Sequence, residues 1–210
     1  MWIDISQPLD SKIAHWEGDQ PFQYSLSFTK QETGSVNIGH IATSTHNGTH
    51  VDAPFHFDDD GKRIIDMEID RFIGDCCVIN QSEEPYITAD SLESCIPDET
   101  PRVLIKTRVP NDRMRFPSEI PYITPEAAAL LHSKGVKLIG VDVPSVDDRT
   151  SKSLQGHHAL HQFDIYILEN LMLDHIETGH YEMIALPLPL IEADGSPVRA
   201  VIRRKVEVYE

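Results

Sequence analysis

Three histidines and a carboxylate fall within eleven residues, His46-Asn-Gly-Thr-His50-Val-Asp52-Ala-Pro-Phe-His56. Each of these side chains is a good ligand for a divalent first-row metal or a good proton carrier. Their spacing restricts how the chain can run. In a flat strand over 46–52, His46 and His50 would share a face but lie about 13 Å apart, at ~3.3 Å per residue. With metal–nitrogen bonds of only about 2.0–2.1 Å, one ion could scarcely bridge that distance. A helix would bring residues four apart together, but Gly48, the β-branched Thr45, Thr49 and Val51, and then Pro54 all oppose one. The chain must therefore bend, and Asn47-Gly48 is a strong turn signal that tolerates positive φ. Beyond the bend, His50 and Asp52 stand two apart on an extended segment and face the same way.

The remainder of the chain limits the setting of this cluster. A length of 210 residues suits one domain, residues 1–210, with a sizeable core. The formal net charge of −16 disfavours nucleic acid and anionic membrane surfaces as partners. No run of about 18 apolar residues is present, so no membrane span is expected. The opening Met1-Trp-Ile-Asp-Ile lacks the basic and apolar regions of a signal peptide. Three cysteines, two of them the adjacent pair Cys76-Cys77, form no disulfide framework and read as structural thiols in a reducing cytoplasm.

The pattern of elements reads as α/β. Trp2–Ile5, Phe22–Phe28 and Val36–Thr43 are strand candidates separated by Pro-, Gly- and Asp-rich loops. Strands at Cys76–Ile79, Val103–Thr107 and Val136–Val143 alternate with a helix capped by Thr88 or Asp90 and ending at Cys95. A second helix starts at Thr124-Pro125 and stops at Gly135. This alternation predicts βαβ units. Asp164–Leu173 reads as a helical stretch, and Glu182–Leu186 and Val198–Val208 return to β. The expectation is one compact α/β domain with a mixed sheet.

A second cluster, Gly156-His157-His158-Ala-Leu-His161 followed by Glu169, could supply the ligands that the first lacks. Spacing alone does not choose among His157, His158 and His161. His15, His40, His132, His175 and His180 read as surface or structural residues.

These residues carry a resemblance. His46-x-Gly-Thr-His50-x-Asp52-x-Pro-x-His56 resembles the signature of the metal-dependent cyclase-type hydrolase superfamily. The likeness extends along the chain, through Trp2-Ile-Asp-Ile-Ser-Gln-Pro-Leu, Val-Asp-Val-Pro-Ser and the His-His…Ile-Leu-Glu-Asn-Leu segment. It is strongest to the bacterial kynurenine formamidase (arylformamidase) family. The resemblance implies a swivelling β/β/α fold and a homodimer with loops exchanged near the active site. It implies one metal on His46, His50 and Asp52, and a second on Asp52, His157 and Glu169, with Glu169 touching both. It implies His56 as proton donor or acceptor and Trp16 as a platform for the aromatic substrate. The family usually has Pro where Glu17 stands, a departure beside Trp16.

The implied reaction, hydrolysis of N-formyl-L-kynurenine to L-kynurenine and formate in tryptophan degradation, explains the residue types. Bound Zn²⁺ lowers the pKa of water from about 15.7 to about 7 and supplies hydroxide to attack the formyl carbon. A second ion would stabilise the oxyanion. The aniline leaving group needs a proton, which a histidine can deliver. Nitrogen and oxygen ligands suit Zn²⁺ and also Mn²⁺ or Co²⁺. The competing readings are an isatin hydrolase-like or other aryl or cyclic amidase of the same superfamily and a non-catalytic metal-binding module, the latter disfavoured by His56.

Overall fold

Four strands run parallel at the centre of one large sheet, and each parallel step is made by a helix. A computed structural model describes residues 1–205. The central strands are β5 (Ile73–Asn80), β6 (Arg102–Lys106), β7 (Leu138–Val141) and β8 (Tyr166–Glu169). The crossovers carry helices α2 (Ala89–Glu93), α3 (Pro125–Ser133) and α4 (Gln155–Gln162). Antiparallel strands flank this centre. They are β1 (Ile3–Asp4), β11 (Val201–Arg204) and β9 (Gly179–Ile184) on one side, and β4 (His50–Asp52) and β10 (Gly195–Pro197) on the other. The nine-stranded order is β1-β11-β9-β5-β6-β7-β8-β4-β10. Strands β2 (Gln23–Phe28) and β3 (Ile38–Ala42) pair separately as a hairpin around the one-turn helix α1 (Lys30–Thr33).

The period of two along the strands divides the core between the faces of the sheet. Val103, Ile105, Ile139, Val141 and Ile167 pack with Leu131, Leu160 and the other helix residues on one face. Leu104, Leu138, Leu168, Val51 and Met183 pack on the other. Both faces are covered, as an almost continuous apolar run such as Val136–Val143 requires.

The expected βαβ units and the Thr124-capped helix are present. The Thr124 hydroxyl accepts the Ala127 N–H at 3.3 Å, and Gly135 follows the helix at φ +82°. Thr88 caps α2. The strand candidates near the N-terminus form, with trimmed ends. In the C-terminal candidate, Val198–Val208, the ladder covers Val201–Arg204, and 206–208 lie outside the described residues.

Asp164–Leu173 is not helical. It contains β8, bracketed by Asp164 at φ +53° and Asn170 at φ +58°. Left-handed residues at both ends are incompatible with a continuing right-handed helix, and the four-residue apolar run fills a sheet position beside β7. The correction matters for the site, because it places Glu169 at the end of a buried strand. The segment Gln155–Gln162, given no element from sequence, is helical.

Candidate active site

The bend at Asn47-Gly48 is real but uses only one left-handed residue. Gly48 has φ +67°, and a Cβ there would sit 2.5 Å from Leu9 Cδ2. Asn47 is buried, its amide donating to Gln20 O and Thr43 Oγ1 at 2.8 and 2.9 Å. The turn brings the His46 and His50 ring centroids to 5.0 Å. His50 and Asp52 then share a face of β4, while Val51 enters the opposite core. In the β4–β8 ladder His50 lies directly opposite Glu169. Helix α4 adds His157 from above, because Gly156 allows close approach. A Cβ on Gly156 would meet the Val146 carbonyl at 2.6 Å.

Five expected ligands thus converge from three elements and the bend. His50 Nε2 is 3.3 Å from Asp52 Oδ1 and 3.4 Å from Glu169 Oε2. His157 Nε2 is 3.4 Å from Asp52 Oδ2 and 3.9 Å from Glu169 Oε1. His46 Nδ1 is 2.9 Å from Asp52 Oδ1. His46, His50 and Asp52 form one group able to hold an ion, Asp52, His157 and Glu169 form another that shares Asp52, and the less buried His46, His56 and Asp194 form a third. His158 and His161 lie outside all three groups; His161 is 3.7 Å from Asp58.

The donor set fits a divalent metal. Ligand atoms placed tetrahedrally at about 2.0–2.1 Å from an ion are about 3.3 Å apart, close to the separations in this cluster. Asp52 Oδ2 is buried without a hydrogen-bond partner, an arrangement that a cation would satisfy. The ring orientations are also fixed from behind. His50 Nδ1–H donates to Gly48 O at 2.9 Å, and His157 Nδ1–H donates to Asp147 Oδ2 at 2.6 Å, leaving each Nε2 free.

The electrostatics show how much positive charge the site demands. Burial would raise the Asp52 carboxyl, but the imidazoles of His157, His46 and His50 beside it hold it well below the usual range. Burial, and then the charge of Asp52, push Glu169 well above its own. Burial disfavours charge on His46 and His157, yet their carboxylate partners outweigh it and lift both to about 10. A cation would compete with protons for the same nitrogens.

His56 stands apart from this buried set. It is exposed, its ring centroid 4.0 Å from His46, and its Nδ1 is 3.4 Å from Asp194 Oδ2. Trp16 packs edge-on against Phe116 at 4.6 Å. Trp16, His56 and, from the buried cluster, His46, His50, His157 and Glu169 line one cleft of about 660 Å³, within the range of small-molecule sites.

The Cyclase family model matches residues 3–148. Over 202 residues the chain is 52% identical to the kynurenine formamidase of Bacillus cytotoxicus, covering 96% of this chain and 97% of that one. It is 53% identical to the kynurenine formamidase of Geobacillus thermodenitrificans, with 97% of each chain covered. This chain belongs to the Cyclase family and, within it, to the kynurenine formamidases. Solved structures share the fold at lower identity. A potential metal-dependent hydrolase with cyclase activity superposes with a TM-score of 0.82 at 24% identity, covering 98% of this chain and 99% of that one. Isatin hydrolase A from Labrenzia aggregata gives 0.77 at 21% identity over 96% and 93%.

Two acids of this formamidase-family site escape sequence reasoning. Asp147 holds His157 through its ring and accepts the backbone N–H groups of Gly156 and His157 at 2.8 and 3.0 Å. Asp194 accepts from Thr45 Oγ1 at 2.8 Å and lies against both His46 and His56. Ten residues separate Asp147 from His157, a spacing with no helical or strand periodicity. Asp194-Gly195 looks like an ordinary turn.

Proposed function

We propose that the protein hydrolyses N-formyl-L-kynurenine to L-kynurenine and formate, with His46, His50, Asp52, His157 and Glu169 as the residues that would hold two Zn²⁺ ions. Mn²⁺ or Co²⁺ would suit the same donors. The observation that carries the reading is His56, a histidine outside the buried ligand groups that faces the same cleft. The family membership points to the same substrate. Bound ions would supply Lewis acidity and lower the pKa of water from about 15.7 to about 7.

The chain's own groups account for the rest. Trp16, braced by Phe116, offers an apolar wall to the aryl ring. His56 takes the proton released as water adds to the formyl carbon. It returns that proton to the aniline nitrogen as the C–N bond breaks, so the leaving group departs as a neutral amine. Asp194 at Nδ1 fixes the ring and leaves Nε2 for this transfer. Asp147 and the Gly48 carbonyl hold the ligand imidazoles from behind.

A homodimer is part of the same proposal. The β2–β3 hairpin leaves Tyr24, Leu26, Phe28, Ile38 and Ile41 exposed, an apolar face suited to a second copy. A cytoplasmic setting agrees with three free thiols. Among the described residues, no helix is long and apolar enough to cross a membrane. The reading is tested by following formate release from N-formyl-L-kynurenine beside ring opening of isatin. Preferred turnover of the formamide supports it, and turnover of isatin alone overturns it.

A further inference from the structure

The cleft carries two cations that hydrolysis of the formamide does not use. Arg149 and Lys152 both line it, together with Trp16, His56 and the buried cluster. Both side chains are exposed, and neither makes an ion pair or hydrogen bond among the described residues. Most other basic groups here are neutralised: Arg71, Arg113 and Lys134, for example, pair with acids at 2.5 to 2.8 Å. In a chain with 34 acidic and 18 basic residues, two unpaired cations at one cleft run against the average composition. Local structure occupies Asp148, the acid that precedes Arg149 in the chain. Asp148 accepts from Thr150 N at 2.9 Å and Thr150 Oγ1 at 2.6 Å.

Arg149 is also placed on the substrate wall. Its guanidinium carbon lies 5.5 Å from the Phe116 ring centroid, and Phe116 is the residue that braces Trp16. Guanidinium, Phe116 and Trp16 therefore form one continuous row. N-formyl-L-kynurenine has its formamide on one side of the aryl ring and an α-amino acid at the end of the ortho acyl chain. With the formyl group at the buried cluster and the ring against Trp16, the amino acid end would occupy the rest of the cleft, which both cations line.

We propose that Arg149, assisted by Lys152, binds the α-carboxylate of the substrate and selects aryl formamides that carry an anionic side chain. The inference rests on the formamidase reading given above. A planar guanidinium matches a carboxylate bidentately, whereas the lysine ammonium adds a point charge.

The test compares N-formyl-L-kynurenine with 2′-formamidoacetophenone, which keeps the aryl formamide and lacks the amino acid. With metal-loaded enzyme, Arg149→Ala is expected to raise KM for the first by about 10- to 100-fold, the loss expected for a hydrogen-bonded charge pair. Its kcat should stay within about twofold, and kcat/KM for the second should not change. Arg149→Lys should recover part of the loss, and Lys152→Ala should show a smaller increase. Calorimetry of the products reads the same contact without turnover. Arg149→Ala should weaken L-kynurenine binding and leave 2-aminoacetophenone binding unchanged. Equal losses on both members of a pair, or no loss on either, overturn the assignment. Wild-type enzyme that turns over neither formamide overturns the formamidase reading instead, and the product-binding comparison still decides Arg149.

Discussion

Replacing Asp147 with Asn should weaken metal binding without removing any ligand. Asp147 Oδ2 accepts from His157 Nδ1 at 2.6 Å, which keeps the proton on that nitrogen and the Nε2 lone pair toward Asp52 and Glu169. An Asn amide could present an N–H to Nδ1 and favour the other tautomer, with its proton directed into the ligand cluster. Loss of such an outer partner costs metal sites about 10- to 100-fold in affinity, or roughly 1.4–2.7 kcal/mol. Folding should suffer less. The Asn oxygen can still accept the Gly156 N–H that Asp147 Oδ1 takes at 2.8 Å, so α4 keeps much of its N-terminal anchor. The decline in stability should be about 1 kcal/mol. Competition titration with a chromophoric zinc chelator gives the affinity, and urea unfolding of the chelated protein gives the stability. An unchanged Zn²⁺ affinity in a folded Asp147→Asn variant would refute the positioning role of Asp147. Asp147→Glu separates charge from reach: it keeps the carboxylate, and any loss it shows measures the geometry.

Further expectations concern three other regions. His56→Ala should retain its full metal content while kcat falls by about 10²- to 10⁴-fold; metal lost together with activity would make His56 a ligand rather than a proton carrier. Burial raises the Asp142 carboxyl to about 7 from the ordinary 3.8, so the folded state binds the extra proton between those values. Its stabilising contribution is therefore complete below about pH 4 and lost as pH rises through about 7, by up to roughly 4 kcal/mol. Asp142→Asn, which can still accept the Thr107 N–H, should gain melting temperature over wild type at pH about 8 and little at pH about 4; equal gains at both would contradict the burial effect. For the proposed homodimer, Tyr24→Ser with Ile41→Ser on the β2–β3 hairpin should shift the protein toward monomer in light scattering; an unaltered dimer would place the interface elsewhere, and a monomeric wild type would overturn the dimer itself.

Local chemistry made the β4 half of the site legible. Gly48, Pro54 and β-branched neighbours exclude a helix, so the bend and the shared face of His50 and Asp52 follow from spacing. The parallel centre was legible for the same kind of reason, since Thr124-Pro125 and Gly135 punctuate α3 and a continuous apolar strand follows. Other features depend on tertiary partners. Tyr166–Glu169 is too short for its period to distinguish strand from helix, and only its neighbours β7 and β4 settle the matter. A helix over this stretch would leave Glu169 an ordinary carboxylate, whereas the strand buries it beside the cluster. Asp147 and Asp194 act across long sequence separations, and nothing in their immediate neighbourhoods marks them. Arg149 is one of many charged loop residues until the fold places it beside Phe116 and the cleft.

The central claim is that the buried histidine–carboxylate cluster is a metal site on which formamide hydrolysis depends. Its most direct test is formate release from N-formyl-L-kynurenine by chelator-treated protein, measured during stepwise return of Zn²⁺ with bound metal determined in parallel. The account predicts no turnover after chelation and recovery in proportion to bound metal, complete near two ions per chain. Full turnover by a demonstrably metal-free, folded preparation would contradict it.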